Sequence, residues 1–111
     1  MSGPVDGERE QFEGVEWDEA KSQSILADRS FDFEFAARVF EGVYVEKEDR
    51  RRDYGERRFI VTGQVDERVI TVVWTPRGRL RRIVSAWPAS NRERREYRAH
   101  RQEIERGDLG C

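Results

Sequence analysis

Cysteine and histidine are almost absent from this sequence of 111 residues, which contains one of each, Cys111 and His100. A disulfide within one chain is therefore excluded, because it needs two cysteines. A zinc site is poorly supported, since such sites draw several ligands from these two residue types. A Ser-His-Asp triad would have to use His100, which lies on a predicted charged helix with no nucleophile-elbow motif. We therefore expect no bound metal ion.

Long apolar segments and glycine-rich phosphate loops are also missing. No run approaches the roughly 20 apolar residues of a membrane-spanning helix, and the first residues are acidic and polar, unlike a signal peptide. No glycine-rich loop follows a predicted strand, which argues against a nucleotide cofactor. We expect a soluble, cytoplasmic protein with no cofactor and no membrane partner.

Charge is what the sequence has in abundance. Charged residues make up 40% of the chain and apolar residues 36%, which fits one small domain with a compact core. The formal net charge of −2 conceals an asymmetry: residues 1–20 hold seven acids and one arginine, whereas residues 77–106 hold ten arginines and four glutamates. Only Lys21 and Lys47 are lysines. Arginine suits bidentate contact with phosphate, although GC-rich coding produces the same bias regardless of function.

The residue pattern predicts an α+β domain, with a small antiparallel sheet, two N-terminal helices and one C-terminal helix. Asp18 and Asp32 are typical N-cap residues, and Ser90 with Glu93 forms a capping box. The predicted helices start at residues 18, 32 and 90, and the predicted strands cover 15–17, 43–45, 58–65, 69–74 and 80–87. We expect the domain to span residues 15–106, between a disordered acidic leader at 1–14 and a tail at 107–111.

Two groups of arginines are open to more than one interpretation. Strict alternation in the last strand places Arg82 on the same face as Leu80, Val84 and Ala86. Arg82 would then either pair with a carboxylate or point into a ligand site. The run Arg50–Arg52 is either a phosphate-binding cluster or a solvated loop partly neutralised by its acidic neighbours.

Aromatic side chains are interleaved with the arginines, namely Trp74, Trp87, Tyr54 and Tyr97. Aromatic rings stack on unpaired bases while arginines hold phosphates, a combination that is typical of single-stranded RNA binding. RNA can also be cut without a metal ion when its 2′-OH is driven onto the adjacent phosphate. That reaction needs positive donors for the oxyanion and a group that moves protons. The pattern favours RNA as a ligand without specifying cleavage.

Five segments together resemble the BrnT family of bacterial type II toxins. They are VEWDEAK at 15–21, FEFAARVF at 33–40, DYGERRF at 53–59, VVWTPRG at 72–78 and RIVSAWPASNRERREY at 82–97. The resemblance implies a RelE-like α+β fold and a ribonuclease activity that inhibits translation. It also implies a ribbon-helix-helix antitoxin of BrnA type, through which the complex binds operator DNA.

The functional elements of the family carry over only in part. The Y-G-E-x-R element is intact at 54–58, and the E-x-x-x-Y element survives as Glu93 and Tyr97. The R-I-I-S-A-R element starts at Arg82 but has Trp87 in place of its second arginine. Where the family usually has Lys and His in N-L-x-K-H-G, this chain has an acidic residue and an arginine, Asp28 and Arg29. Arg29 can replace the lost charge but cannot act as an acid or base at neutral pH.

These elements and the arginine-rich surface define the candidate site, whose guanidinium groups we expect to converge on one concave patch. The catalytic candidates are Glu56, Arg58, Arg82, Glu93 and Tyr97, and the RNA-binding candidates are Arg29, Arg77, Arg79, Arg81, Trp87, Arg94 and Arg98. Internal ion pairing of the first three and plain packing of Tyr97 are the structural alternatives. Three functions remain open: a toxin ribonuclease, a weakly active or inactive relative that mainly binds an antitoxin, and an RNA-binding module without a toxin role.

Overall fold

The computed structural model describes residues 12–51 and 53–105. The predicted tail and most of the predicted leader lie outside these ranges. Within them, the packed domain already includes Phe12, whose ring contacts that of Trp74 edge to face at 5.2 Å between centroids. Among the described residues, packing against the core thus includes a residue three positions before the expected domain start at residue 15.

The described residues form five strands and three helices in an α+β arrangement, which confirms the predicted fold class. The strands are β1 (Gly14–Glu16), β2 (Tyr44–Glu48), β3 (Phe59–Val65), β4 (Arg68–Arg77) and β5 (Leu80–Pro88). The helices are α1 (Glu19–Arg29), α2 (Phe33–Ala37), which continues as a 3₁₀ turn (Arg38–Glu41), and α3 (Asn91–Glu105).

The sheet has the strand order β1-β5-β4-β3-β2. Strands β2 to β5 form the expected antiparallel meander. The edge strand β1 pairs with β5 in parallel, with Glu16 opposite Arg82, so the sheet is mixed rather than wholly antiparallel. Two parallel strands cannot be joined by a short hairpin and need a long connection between them. Here α1, α2 and strands β2 to β4 lie between β1 and β5 in the sequence and provide it.

Local hydrogen bonds set the starts of the helices where the sequence predicts them. The carboxylate of Asp18 accepts from the backbone N–H of Lys21 at 3.0 Å, and that of Asp32 accepts from Phe35 at 2.9 Å. At α3 the capping box is complete, since Ser90 and Glu93 each accept the other's backbone N–H through a side-chain oxygen. Each cap satisfies donors that the first helical turn leaves open.

The hydrophobic core lies between α1, α2 and one face of the sheet. Its fully buried side chains include Phe33, Ile70, Val72, Val61 and Ile83. The opposite face is only partly covered, by α3, whose Tyr97 is 3% exposed. Strand β4 is consequently buried on both faces from Ile70 to Thr75, as its almost uninterrupted apolar sequence predicts.

Two residues expected near the RNA surface are instead part of this core. Trp74 is 3% exposed and donates from its indole N–H to Glu46 at 2.9 Å. The guanidinium of Arg81 lies over three rings, at 4.9 Å from Phe12, 4.5 Å from Phe40 and 5.1 Å from Trp74. Arginine can stack on aromatic faces while its stem packs against apolar atoms, so Arg81 closes the end of the core.

A β-bulge changes which residues of β5 face the core. Val73 pairs with Ser85 and Trp74 with Ile83, which leaves Val84 as the extra residue. Because the bulge shifts the alternation, Ala86 is buried on the same side as Ile83 rather than sharing a face with Arg82. The predicted strict alternation was therefore wrong beyond Ile83.

None of the described helices is long and apolar enough to cross a membrane.

Gly63 provides a test of the core packing on β3. A Cβ atom at this position would lie 2.7 Å from Cγ2 of Val39 and 3.2 Å from the carbonyl oxygen of Val43. Since neither neighbour is a flexible side-chain end, we expect Gly63→Ala to lower the free energy of unfolding by about 1–3 kcal/mol. Gly42→Ala is the matched control, because nothing lies within 4 Å of its Cβ position. Urea unfolding curves of both variants measure the difference, and equal stability would contradict this account.

Candidate functional site

The sheet face that α3 partly covers carries an open depression of about 520 Å³, which we call the basic hollow. Its floor is formed by β4 and β5, and its walls by the start of α1 and the β2–β3 connection. The lining residues are Lys21, Asp49, Arg51, Tyr54, Arg58, Val73, Val84, Ser85 and Trp87. Three cationic and two aromatic side chains thus meet over a small apolar floor.

Arg51 is held at the hollow by a buried carboxylate. Its Nε and one terminal nitrogen donate to the two carboxylate oxygens of Asp49, both at 2.8 Å. The Asp49 side chain is 1% exposed, whereas that of Arg51 is 68% exposed. The hydrogen bonds from Arg51 outweigh the opposing effect of burial and hold the pKa of the Asp49 carboxyl well below its usual range. The pair therefore stays ionised in the folded protein, with the guanidinium facing solvent.

Tyr54 joins the Asp49–Arg51 pair to Arg58. Its hydroxyl donates to Asp49 at 3.0 Å, and its ring lies 4.2 Å beneath the guanidinium carbon of Arg58. Arg58 also pairs with Glu56, with 2.9 Å between Nε and the carboxylate oxygen. Of the catalytic candidates, Arg58 lines the hollow, and Glu56 lies beside it through this pair.

Cations of α1 cap the free edge of β5. Strand β1 pairs with β5 only as far as Arg82, and past that point the edge carbonyls meet side chains instead of a strand. The ammonium group of Lys21 donates to the carbonyl of Val84, and the guanidinium of Arg29 donates to that of Ala86. Lys21 reaches the hollow in this way, whereas Arg29 lies along the edge and does not line it.

Glu93 anchors the indole of Trp87 rather than standing free for proton transfer. One carboxylate oxygen accepts from the indole N–H of Trp87 at 3.3 Å, from Thr71 at 3.0 Å and from the backbone of Ser90 at 2.8 Å. Burial alone would raise the pKa of Glu93, but these hydrogen bonds outweigh it and the pKa is lowered. Glu93 is thus ionised and fixes the ring of Trp87 at the hollow.

Arg82 and Tyr97, the other catalytic candidates, lie outside the hollow. The guanidinium of Arg82 pairs with Glu16 on β1 at 3.1 Å, which is the ion-pair alternative left open by the sequence. Tyr97 is buried beneath α3, and its hydroxyl accepts from Arg101 at 3.2 Å. The first contact connects β5 to β1, and the second lies within α3.

Most of the RNA-binding candidates are dispersed. Arg79 pairs with Glu13 at 3.0 Å, and Arg94 donates to the side chain of Asn91 at 2.9 Å. Arg77 is exposed at the end of β4 and Arg98 on α3. With Arg81 in the core, only Trp87 of this group lines the hollow. The guanidinium groups of the late strands and last helix therefore do not converge as expected.

Of the three cations that do converge, Arg58 was a catalytic candidate, whereas Lys21 and Arg51 were not among the candidate site residues. Arg51 belongs to the run interpreted as either a phosphate cluster or a solvated loop, and its spacing to Asp49 is the local signal of a pair. Lys21 carries no such signal, because its role depends on the β5 edge more than 60 residues away in sequence. Among the described residues, no group of three or more His, Cys, Asp or Glu side chains is placed to hold a metal ion.

Residues 17–93 match the model of a protein family described as the ribonuclease toxin, BrnT, of type II toxin-antitoxin systems. The matched segment covers more than half of the chain and includes every residue that lines the basic hollow. No curated protein matches the chain.

The lowered pKa of Asp49 makes a stability prediction with a definite sign. Because the folded pKa lies below that of an unfolded aspartate, about 3.9, the stabilising contribution is complete above that value and is lost as the pH falls through the folded pKa. We expect the unfolding free energy of Asp49→Asn to change less between about pH 5 and pH 2 than that of the original chain. Denaturant titrations across this range measure the difference.

Asp66→Asn is the matched control for that experiment. Asp66 also forms a two-point pair with an arginine, Arg38, but its side chain is 60% exposed. An exposed pair contributes little to stability, so this variant should retain the pH dependence of the original chain. An equal reduction of the pH dependence in both variants would show that the buried carboxylate of Asp49 contributes no more to it than the exposed carboxylate of Asp66.

Proposed function

The chain belongs to the BrnT family of ribonuclease toxins of type II toxin-antitoxin systems, and we propose that it cuts single-stranded RNA at the basic hollow without a metal ion. The observation that carries this proposal is the meeting of Lys21, Arg51 and Arg58 around one depression beside an indole ring. These three positive groups, one from α1 and two from the β2–β3 connection, can attract and hold a negatively charged phosphodiester, and the ring can stack on an unpaired base.

The proposed reaction is transfer of the RNA phosphate to its own ribose. The 2′-oxygen attacks phosphorus, the bond to the 5′-oxygen of the next nucleotide breaks, and a 2′,3′-cyclic phosphate is left. Negative charge on the non-bridging oxygens grows in the transition state, where Arg58 and Arg51 stabilise it by charge-assisted hydrogen bonds. Lys21 adds a third positive charge at the opposite wall of the hollow.

Glu56 is the proposed proton acceptor for the 2′-OH. Its carboxylate lies 2.9 Å from Nε of Arg58 and its side chain is 33% exposed, so a substrate held by Arg58 would be within reach. Glu93 and Tyr97 have structural roles in this proposal, because the first is engaged by three donors and the second is buried. The departing 5′-oxygen takes its proton from water, and the hydroxide left behind takes the proton from Glu56, which restores the carboxylate.

Trp87 is the proposed platform for a base next to the cleaved phosphate. Its ring lines the hollow while its N–H is held by Glu93, so the stacking surface is fixed before RNA arrives. Stacking of a base on an aromatic side chain contributes on the order of 1–3 kcal/mol and tolerates any base. Trp87 would therefore favour unpaired RNA over duplex.

Membership of a type II toxin family implies an antitoxin partner. We propose a ribbon-helix-helix antitoxin of BrnA type, with operator DNA contacted only through it, and a cytoplasmic toxin that inhibits translation by cutting RNA. Exposed arginines of α3 outside the hollow, such as Arg98, are available to meet acidic residues of such a partner.

A second candidate function is that of a weakly active or inactive toxin relative that mainly binds its antitoxin. It is favoured by the positions where the chain departs from the family elements. Trp87 supplies no charge to the hollow, Asp28 is exposed, and the guanidinium of Arg29 is engaged by a backbone carbonyl. Loss of one positioned donor typically costs on the order of 10²–10³ in rate, so two losses would leave little cleavage.

Cleavage of a labelled single-stranded RNA decides between these functions. We expect the original chain to cut it equally with and without EDTA, and Arg58→Ala to lower kcat by about 10²–10³-fold. Arg92→Ala is the control, because Arg92 is 81% exposed on α3, pairs with Glu96 and lies outside the hollow. Gel analysis of products under single-turnover conditions measures the rates. No cleavage by the original chain favours the second function, and inhibition by EDTA contradicts metal independence.

Trp87 should act on substrate binding more than on the chemical step. We expect Trp87→Ala to raise KM by roughly 5–150-fold, the equivalent of one lost stacking contact, with a smaller change in kcat. Trp87→Phe keeps a stacking face and should retain most of the affinity. Steady-state kinetics on unpaired and duplex RNA measure both variants, and a loss in kcat alone would show that the ring does not bind substrate.

A further inference from the structure

We propose that Asp49 is a positioning residue of the RNA site, which fixes Arg51 and Tyr54 so that Arg51 and Arg58 can hold one phosphate. This inference rests on the proposed function, because it assigns the basic hollow to RNA. It adds a residue that never touches the substrate: Asp49 orients the neighbouring side chains, while Arg51 and Arg58 hold the phosphate.

The carboxylate of Asp49 fixes the orientation of two side chains at once. It accepts from Arg51 three times, at 2.8 Å from Nε, 2.8 Å from Nη2 and 3.2 Å from the backbone N–H. It also accepts from the hydroxyl of Tyr54 at 3.0 Å. A fork of two parallel hydrogen bonds defines the plane of a guanidinium as well as its distance. The remaining terminal nitrogen of Arg51, Nη1, takes no part in the pair.

The backbone of Asp49 links this cluster to the start of β3. Its N–H donates to the carbonyl oxygen of Arg58 at 2.8 Å, which closes the connection between β2 and β3. Arg58 in turn lies 4.2 Å above the ring of Tyr54. Arg51, Tyr54 and Arg58 are therefore all placed relative to one residue, by its side chain, by its backbone or through each other.

A carboxylate beside a phosphate site calls for a physical reason, since like charges repel. Here the Asp49 side chain is 1% exposed and paired at both oxygens, so its charge is already compensated before any ligand arrives. Its partner Arg51 is 68% exposed and keeps donors directed outward. An arginine that is already ordered loses less conformational freedom when it binds, and preorganisation of this kind raises affinity.

A purely structural role would be closure of the β2–β3 connection, with no effect on RNA beyond lower stability. The two roles differ in how Asp49 and Arg51 combine. If Asp49 acts on RNA through Arg51, then removing the carboxylate changes nothing once Arg51 is gone. If it acts on stability alone, Asp49→Asn binds RNA as tightly as the original chain, and if it acts on binding independently of Arg51, the two losses add.

The test is binding of a short single-stranded RNA with 2′-O-methyl sugars, which cannot be cut, at several salt concentrations. We expect Arg51→Ala to weaken binding and to reduce the slope of log K against log salt by about 0.7, the value for one phosphate contact. Asp49→Asn should cause most of the same loss, although asparagine keeps the side-chain volume and can still accept from Tyr54. The double variant should bind no more weakly than Arg51→Ala.

Two further variants keep the test decisive. Asp66→Asn is the matched control, since it removes the carboxylate of a two-point pair with Arg38 outside the hollow and should leave binding unchanged. Arg51→Lys retains the charge but cannot form the fork, so it should bind nearly as weakly as Arg51→Ala. This variant supplies the answer if thermal melts show that Asp49→Asn does not fold.

The outcomes separate this inference from the function on which it rests. Failure of the original chain to bind the RNA overturns both. Binding by the original chain, together with unchanged or tighter binding by Asp49→Asn, overturns the positioning role alone. Additive losses in the double variant, or full affinity in Arg51→Lys, have the same consequence.

Discussion

Strand β4 sets the architecture, because the residues from Ile70 to Thr75 must be shielded from water on both faces. Helices α1 and α2 pack against one face, where the core lies. On the other face α3 is tied to the sheet through Glu93, which reaches Thr71 and Trp87. The basic hollow lies over the stretch around Val73 and Ser85, where Val73 is itself only 4% exposed. Its floor is as rigid as the core because the same strand forms both, and a preorganised site needs such a floor.

The electrostatic character of the hollow follows from what its cations contact, not from how many arginines the chain contains. Arg79, Arg82 and, within the hollow, Arg58 each pair with a carboxylate, which reduces their positive charge locally. Lys21 instead donates to the carbonyl of Val84, a neutral group, so its full positive charge acts on the hollow. Arg51 meets a carboxylate that is buried while its own head is exposed. A surface that is nearly neutral overall can therefore still present one localised positive site.

The sequence predicted those features that depend on neighbours close along the chain. The caps at Asp18, Asp32 and Ser90 and the α+β class were confirmed, since both follow from local hydrogen bonding and from the periodicity of apolar residues. The bulge at Val84 carries no residue signal, and it alone reverses the expected face of Ala86. The burial of Arg81 among three rings depends on Phe12 and Phe40, which lie far away in sequence. For this reason, sites whose residues come from separate elements cannot be predicted from local sequence patterns, and Lys21 is the clearest case.

The presence of Trp87 at the hollow determines where its positive charge has to come from. An indole offers a wide stacking face but no charge, so the positive potential must come from α1 and from the β2–β3 connection. The connection contributes only while Asp49 keeps Arg51 in place, and α1 contributes only while Lys21 and Arg29 hold it against the β5 edge. Charge placement in this molecule is thus coupled to the packing of two peripheral segments. A substitution that loosens either segment would reduce the positive charge at the hollow without touching a residue of the sheet that forms its floor.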